Sequence, residues 1–318
     1  MAREKTVVIT GGAGAIGSNL AKYLLEQQYE VIVIDDLSSG SLNNLMQREK
    51  LHFFQKDVRD AFVEEIYRKF QPGVIFHLAA HYANELSIRE PEYDLDVNTR
   101  GTLVQLNLAR KIGVGRFVYA STSCVYAPSE KPLSEWSLVK PHTPYGISKL
   151  AGEYYCIFYN QMYGLPITIL RYFNSYGPNE AVNIYRGVVP QFVHCALHGL
   201  PIVITGNGEE KRDFTFVEDT VRGTVMAAFS EEGKNEIFNI GTGCATTVHD
   251  LAEKICTISG KNVPMQWKDR RPWDQTVHRE ANIEKARKVL GYKPMYTLYD
   301  GLGKTIDWYR NQQEGISV

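Results

Sequence analysis

The chain has 318 residues, enough to bury one large core or two unequal ones. A formal net charge of -1 gives it no general attraction to nucleic acid or to an anionic membrane, and no apolar run reaches the ~20 residues that span a bilayer. Cys124, Cys156, Cys195, Cys244 and Cys256 are scattered without metal-type spacing and the eight histidines do not cluster, which predicts reduced thiols, a cytoplasmic location and no metal.

Only five residues precede the first strand-like run, Thr6–Thr10, too few for a signal peptide. A glycine string, Gly11-Gly12-Ala13-Gly14-Ala15-Ile16-Gly17, follows and opens a helical pattern over Ala15–Gln27. Glycines in a strand–turn–helix context permit a tight turn and let backbone N–H groups approach a pyrophosphate at the positive helix end. Gly11, Gly14, Ala15, Ile16 and Gly17 are therefore candidate dinucleotide ligands. The next run, Val31–Ile34, ends in Asp35-Asp36, and Asp35 stands 18 residues after Gly17. A carboxylate there accepts from ribose hydroxyls and repels a 2′-phosphate, which favours NAD over NADP; the alternative is a turn-capping pair. Ser39 and Gly40 add a hydroxyl and a backbone donor but no arginine.

The runs His52–Phe54 and Val74–His77 follow, with a helical pattern at Ala61–Lys69 between them. Asp57-Val58 and Leu78-Ala79-Ala80 trail the two runs and, in a parallel sheet, fall on the ligand side. A helical pattern over Asn98–Lys111 leads to the run Phe117–Ala120, which ends in Ser121-Thr122-Ser123. Tyr145–Tyr163 is helical and carries Tyr145 and Lys149 one turn apart on one face. A tyrosine, with an ordinary pKa near ~10, is a poor base until a cation favours its phenolate. Singly this pair is an ordinary surface coincidence. Beyond the run Ile167–Leu170 the alternation breaks down, although Glu236–Ile240 reads as a strand returning to the first sheet.

The expected fold is α/β: a Rossmann-type, doubly wound parallel sheet with a smaller, interleaved α/β C-terminal substrate domain. The boundary is placed between residues 1–174 and 175–318. The chain resembles the extended short-chain dehydrogenase/reductase family, in its nucleotide-sugar epimerase and dehydratase branch. The resemblance covers nearly the whole chain through TGGAGAIG, HLAA, STS, YGISK, RYFNSYGP, Arg212-Asp213-Phe214, Asn239-Ile240-Gly241 and Arg271-Pro272. It implies that Tyr145 is the catalytic base, that Lys149 lowers its pKa and that Thr122 supports proton transfer. It further implies NAD contacts from Asn98, Ser121 and Tyr172. Substrate contacts are implied for Asn174, Arg212 and Arg271 at a diphosphate, for Ser123, and for the backbone around Val188. Tyr82 and Asp274 join the substrate set, but His81-Tyr82-Ala83-Asn84 matches no substrate signature and Trp273 replaces the usual glycine before Asp274.

Relatives of this type first oxidise the sugar at C4. Dehydratases then use carboxylates in a T-D-E string where this chain has Thr122-Ser123-Cys124, and decarboxylases keep the glutamate. Their absence favours a 4-epimerase over a dehydratase with Cys124 as acid/base, and the intact Tyr145, Lys149 and Thr122 disfavour a non-catalytic NAD-binding protein. Relatives acting on glucuronate often place basic residues in the loop after Tyr176, where this chain has Asn179-Glu180-Ala181, so the resemblance implies a neutral UDP-hexose or UDP-N-acetylhexosamine. Relatives commonly dimerise through two helices per subunit, so a homodimer is expected.

Overall fold

The computed structural model describes residues 5–182, 187–274 and 276–313. The first part of the chain alternates strands and helices: β1 (Thr6–Thr10), α1 (Ala15–Glu26), β2 (Glu30–Asp35), β3 (Leu51–Gln55), α2 (Phe62–Phe70) and β4 (Val74–His77). Two short helices follow, α3 (Asn84–Arg89) and α4 (Pro91–Leu95), then α5 (Gly101–Ile112), β5 (Arg116–Thr122), α6 (Pro144–Tyr163) and β6 (Ile167–Tyr172). The remainder is more broken. It holds β7 (Ser175–Tyr176), α7 (Val188–His198), β8 (Ile202–Thr205), β9 (Lys211–Asp213), β10 (Thr215–Phe216), α8 (Val217–Phe229) and β11 (Glu236–Ile240). It ends with β12 (Ala245–Thr247), α9 (Val248–Ser259), β13 (Met265–Lys268), β14 (His278–Arg279), α10 (Glu284–Leu290) and α11 (Leu298–Gln313).

Seven strands form one parallel sheet in the order β11-β6-β5-β4-β1-β2-β3. Strands β1, β5 and β6 are buried along their whole length, which is why they read as unbroken apolar or small runs without alternation. Helices α1, α8 and α10 cover one face through Leu20, Leu24, Val221, Ala227 and Ala286. The other face is covered by α2, α5 and α6 through Val63, Ile66, Leu106, Ala109 and Cys156. Strand order reverses between β1 and β4, and a crevice opens at the carboxyl ends of the strands there.

A second core joins α7, α9 and α11 through Val193, Leu251, Ile255, Leu302 and Ile306. Its strands are short: β12, β9 and β14 make one small sheet, β13 and β8 another, and β10 pairs with β7. Within the first part a buried ion pair, Arg171 with Glu153 at 2.7 Å, ties β6 to α6; Arg171 also donates to the Tyr126 hydroxyl, which in turn donates to Asn239 on β11. Several boundaries differ from expectation by one or two residues, and the start of α5 differs by more. The helix predicted from Asn98 begins at Gly101, because Asp96–Arg100 forms a wider π-type turn in which the Asn98 side chain bonds outside the helix. Among the described residues no helix is long and apolar enough to cross a membrane.

Candidate active site

A cavity of about 650 Å³ runs across the carboxyl ends of β1, β2, β4, β5 and β6 and continues under β8, β9 and β14. At one end is the glycine turn. Gly11 has a φ of +69°, and a Cβ there would lie 2.7 Å from the Ala79 amide nitrogen, so neither the turn nor the approach of the β4 loop admits a side chain. No side chain caps α1 and no acid stands in its first turn, leaving the positive helix end facing the cavity through Gly14, Ala15, Ile16 and Gly17. Asp35 is 7% exposed and accepts from the Ala13 and Leu37 amides, each at 2.9 Å. Burial pushes its carboxyl above the usual range, so donors from ribose hydroxyls would complete a desolvated acceptor. Asp36 turns instead to Ser38, and Asp57 is held by Arg59, both still on the lining. These features fit a dinucleotide with an unphosphorylated ribose.

Midway lies the candidate reactive centre. Thr143 caps α6 by accepting from the Gly146 amide, and its hydroxyl donates to Asn84 at 2.7 Å. A Cβ on Gly146 would lie 2.6 Å from the Cys124 carbonyl oxygen. Glycine there lets the first turn of α6 press onto the end of β5, which brings Tyr145 within hydrogen-bond reach of Thr122. Tyr145 and Lys149 are 6% and 2% exposed and both line the cavity. Burial pulls Lys149 down to about 8, and its ammonium sits 4.3 Å over the Tyr119 ring. Burial, then Cys124 and Tyr82, push Tyr145 well up, against the Thr122 bond. Without ligands the phenol therefore stays protonated. The Tyr82 ring stands edge-on to Tyr145 at 5.9 Å. His77, driven down to about 3 by burial and Lys149, is a neutral bridge between Thr10 and Thr102.

The far end is polar and positive. The Asn174 side-chain amide nitrogen is buried, finds no partner among the described residues and belongs to a cavity-lining residue, as a donor awaiting a ligand oxygen does. Arg212 donates to the Thr276 carbonyl at 3.0 Å and lies 3.4 Å from Asp274. Behind it Asp213 is fully buried and accepts from Thr242, Gly243 and Ala281, pinning three chain segments together. Arg271 is 40% exposed, lies 5.5 Å over the Trp273 ring and 3.9 Å from Glu85. Asp274 is thus an orienting partner of Arg212.

A glycine turn with a buried acid, a Tyr–Lys pair and a cationic far end in one cavity invite comparison with known proteins. The family model described as NAD dependent epimerase/dehydratase family matches residues 7–241. The chain belongs to this family. It is 36% identical to the UDP-glucose 4-epimerase of Mycolicibacterium smegmatis over 96% of this chain and 99% of that one. An epimerase of Methanothermobacter thermautotrophicus superposes with a TM-score of 0.96 at 39% identity, over 99% of this chain and 95% of that one. The Thermotoga maritima UDP-glucose 4-epimerase, solved with UDP-glucose, gives 0.93 at 37%, over 97% and 99%. NAD is accordingly the dinucleotide of this epimerase/dehydratase family member.

Most residues singled out in the sequence meet on this cavity, including Ser39, Val58, Leu78, Ala80, Ser121, Ser123, Tyr172 and Val188. Two do not. Gly40 packs against Ala13 away from the lining, and Asn98, 1% exposed, accepts from the His81 amide and donates to Ser148 and Asp94 behind the wall. Sequence reasoning missed Arg279, a buried cation on the lining, and Asn84, which braces Thr143. Among the described residues one His/carboxylate grouping has ligand atoms within 4.8 Å: His249, Asp250 and Glu253 on α9. It carries no argument by itself.

Proposed function

We propose that this family member is a UDP-sugar 4-epimerase that works through a transient 4-keto sugar. The observation that carries the reading is the reactive end of the cavity, where the two positions after Thr122 hold Ser123 and Cys124 and neither is a carboxylate. Elimination of water needs an acceptor near C5 and a donor near the leaving C6 hydroxyl. Epimerisation needs one base, one oxidant and room for the ring to turn. NAD, when bound, supplies the oxidant that accepts and returns the hydrogen at C4. Tyr145 takes the proton of the 4-hydroxyl and gives it back after the ring has turned, with Thr122 sharing that hydrogen bond. The Lys149 ammonium favours the phenolate, which burial alone opposes. Arg212 and Asn174 hold the diphosphate throughout, with Arg271 at the rim.

Purified protein incubated with UDP-glucose, UDP-N-acetylglucosamine and UDP-glucuronate, with products read by NMR and mass spectrometry, tests this. The expected product is the C4 epimer at unchanged mass, with no added NAD consumed. A product lighter by one water sinks the epimerase reading in favour of a dehydratase. One observation favours that second reading: the Cys124 sulfur borders the cavity and accepts from Arg279 at 3.2 Å. Loss of the dehydrated product in Cys124→Ala would assign the acid/base role to the thiol. A homodimer completes the proposal, joined through the outer face of α6, where Tyr154, Phe158 and Met162 are 59%, 47% and 64% exposed. Sedimentation at the mass of one chain would remove it.

A further inference from the structure

Arg279 is the cavity residue that the 4-epimerase reading leaves without work. It is 8% exposed, donates to the Thr276 hydroxyl at 2.8 Å and to the Cys124 sulfur at 3.2 Å, and forms no ion pair with a carboxylate among the described residues. A buried guanidinium without a counter-charge is costly. Its cost is raised by register, because Arg279 on β14 is the direct partner of Arg212 on β9, and like charges placed opposite one another on paired strands repel. Burial and Arg279 together pull Arg212 down to about 10. Two adjacent, poorly solvated cations on a cavity wall are tolerated best where ligand anions neutralise them. The diphosphate accounts for Arg212, which is held back by Asp274 and the Thr276 carbonyl.

Arg279 reaches further, to the reactive end. Cys124 lies two residues after Thr122, its amide donates to the Thr122 hydroxyl at 3.2 Å, and its sulfur also receives the Asn84 amide at 3.7 Å. Cys124 is close enough to Tyr145 to act on the phenol's acidity. Any sugar processed here presents its 4-hydroxyl to Tyr145 and carries the diphosphate on C1, across the ring. A cation touching Cys124 therefore meets the C4–C6 side of the sugar. The thiol is a weak acceptor that keeps the guanidinium fork aimed and is easily displaced.

We propose that Arg279 binds a carboxylate on the C4–C6 side of the sugar, so that the substrate is an acidic UDP-sugar of the uronate type. This rests on the UDP-sugar reading of the cavity. It replaces the neutral sugar expected from residues 179–181, since Asn179 is spent on Ser18 and on accepting from Asn44. A planar fork matches a carboxylate with two parallel bonds, which an ammonium cannot do.

The test is titration calorimetry with UDP, UDP-glucose and UDP-glucuronate on the NAD-loaded protein carrying Tyr145→Phe to stop turnover, with and without Arg279→Gln or Arg279→Lys. UDP-glucuronate should bind at least about tenfold tighter than UDP-glucose, the scale of a charge-assisted hydrogen bond. Arg279→Gln should erase that preference while the affinity for UDP alone moves less than about twofold, and Arg279→Lys should keep part of it. Equal binding of the two sugars by the parent protein overturns the proposal, even if neither Arg279 variant folds. An equal loss for UDP and both sugars in Arg279→Gln also overturns it, making Arg279 a diphosphate ligand. If the binding preference is found but the unmodified enzyme epimerises no UDP-sugar, the carboxylate subsite stands and the 4-epimerase reading falls.

Discussion

At the dinucleotide end of the cavity, Thr6 to Asp35 form one strand–turn–helix–strand unit whose strands pair residue by residue inside a seven-stranded sheet. At the sugar end, Arg212, Thr276 and Arg279 stand on or beside strands of two or three residues, gathered from segments more than 60 positions apart. The first end is held by continuous apolar burial. The second is held by a polar hub, the Asp213 carboxylate with its donors from Thr242, Gly243 and Ala281. The contrast teaches that one cavity can join a locally encoded, rigid half to a half whose geometry depends on a few buried hydrogen bonds. Changes at the two ends, and at the seam between them, should separate cleanly.

The seam gives the largest expected effect. Tyr145→Phe keeps the ring and its edge contact with Tyr82 but removes the proton acceptor. Turnover should fall by about 10²–10⁴, the usual worth of general acid–base catalysis, while NAD content and UDP affinity stay as they were. Near-normal turnover would mean that the chemistry lies elsewhere in the cavity. Next comes the hub. Asp213→Ala leaves several buried donors unsatisfied and should cost about 3 kcal/mol or more in urea unfolding. The comparison is sharpened if UDP affinity falls well before NAD retention does, and broken if both fail together.

The two ends also differ in how far they could be read from sequence. Thr6–Thr10 was legible to the residue because five consecutive buried positions leave an unbroken apolar run. Asp35 was legible because its place depends only on the strand that ends in it. Arg279 was not, since a two-residue strand has no period, and only its pairing with β9 reveals that it flanks Arg212. Asn98 shows the converse: a family-like motif implied cofactor contact, yet the side chain acts one layer back, tying His81 to α6.

Lys149, at the seam, makes a prediction about pH. Its folded pKa of about 8 lies below the ordinary 10.5, so between these values the unfolded chain holds a proton that the folded chain releases. Stability therefore rises with pH across that window, and below about pH 8 the folded state bears the full cost of a buried ammonium. Lys149→Met should accordingly be more stable than the parent by about 2–3 kcal/mol at pH 7 in nucleotide-free protein, with the gap closing toward pH 10. Measuring the difference between the two proteins cancels the other titrating groups. A gap that does not change with pH would show that the ammonium is solvated or paired. At the dinucleotide end, Asp35→Ser should lessen the preference for NAD over NADP by about tenfold or more and leave UDP affinity unchanged.

The smallest effect is expected at Arg271, and it tests whether the sugar end is organised around buried cations or around every arginine that borders it. Arg212 is 14% exposed along its side chain and is fixed by Asp274 and a backbone carbonyl, so its charge acts in a poorly solvated place. Arg271 is 40% exposed, its nearest acid is 3.9 Å away and its guanidinium rests over Trp273. An exposed charge is screened by water and salt, and its contribution to binding a diphosphate is correspondingly small. Arg271→Ala should therefore weaken UDP binding only about threefold at physiological salt, and less at high salt, whereas Arg212→Ala should weaken it by more than about tenfold. Equal losses for the two variants would mean that Arg271 swings inward onto the diphosphate when UDP binds, making the rim of the cavity a closing element rather than a fixed wall.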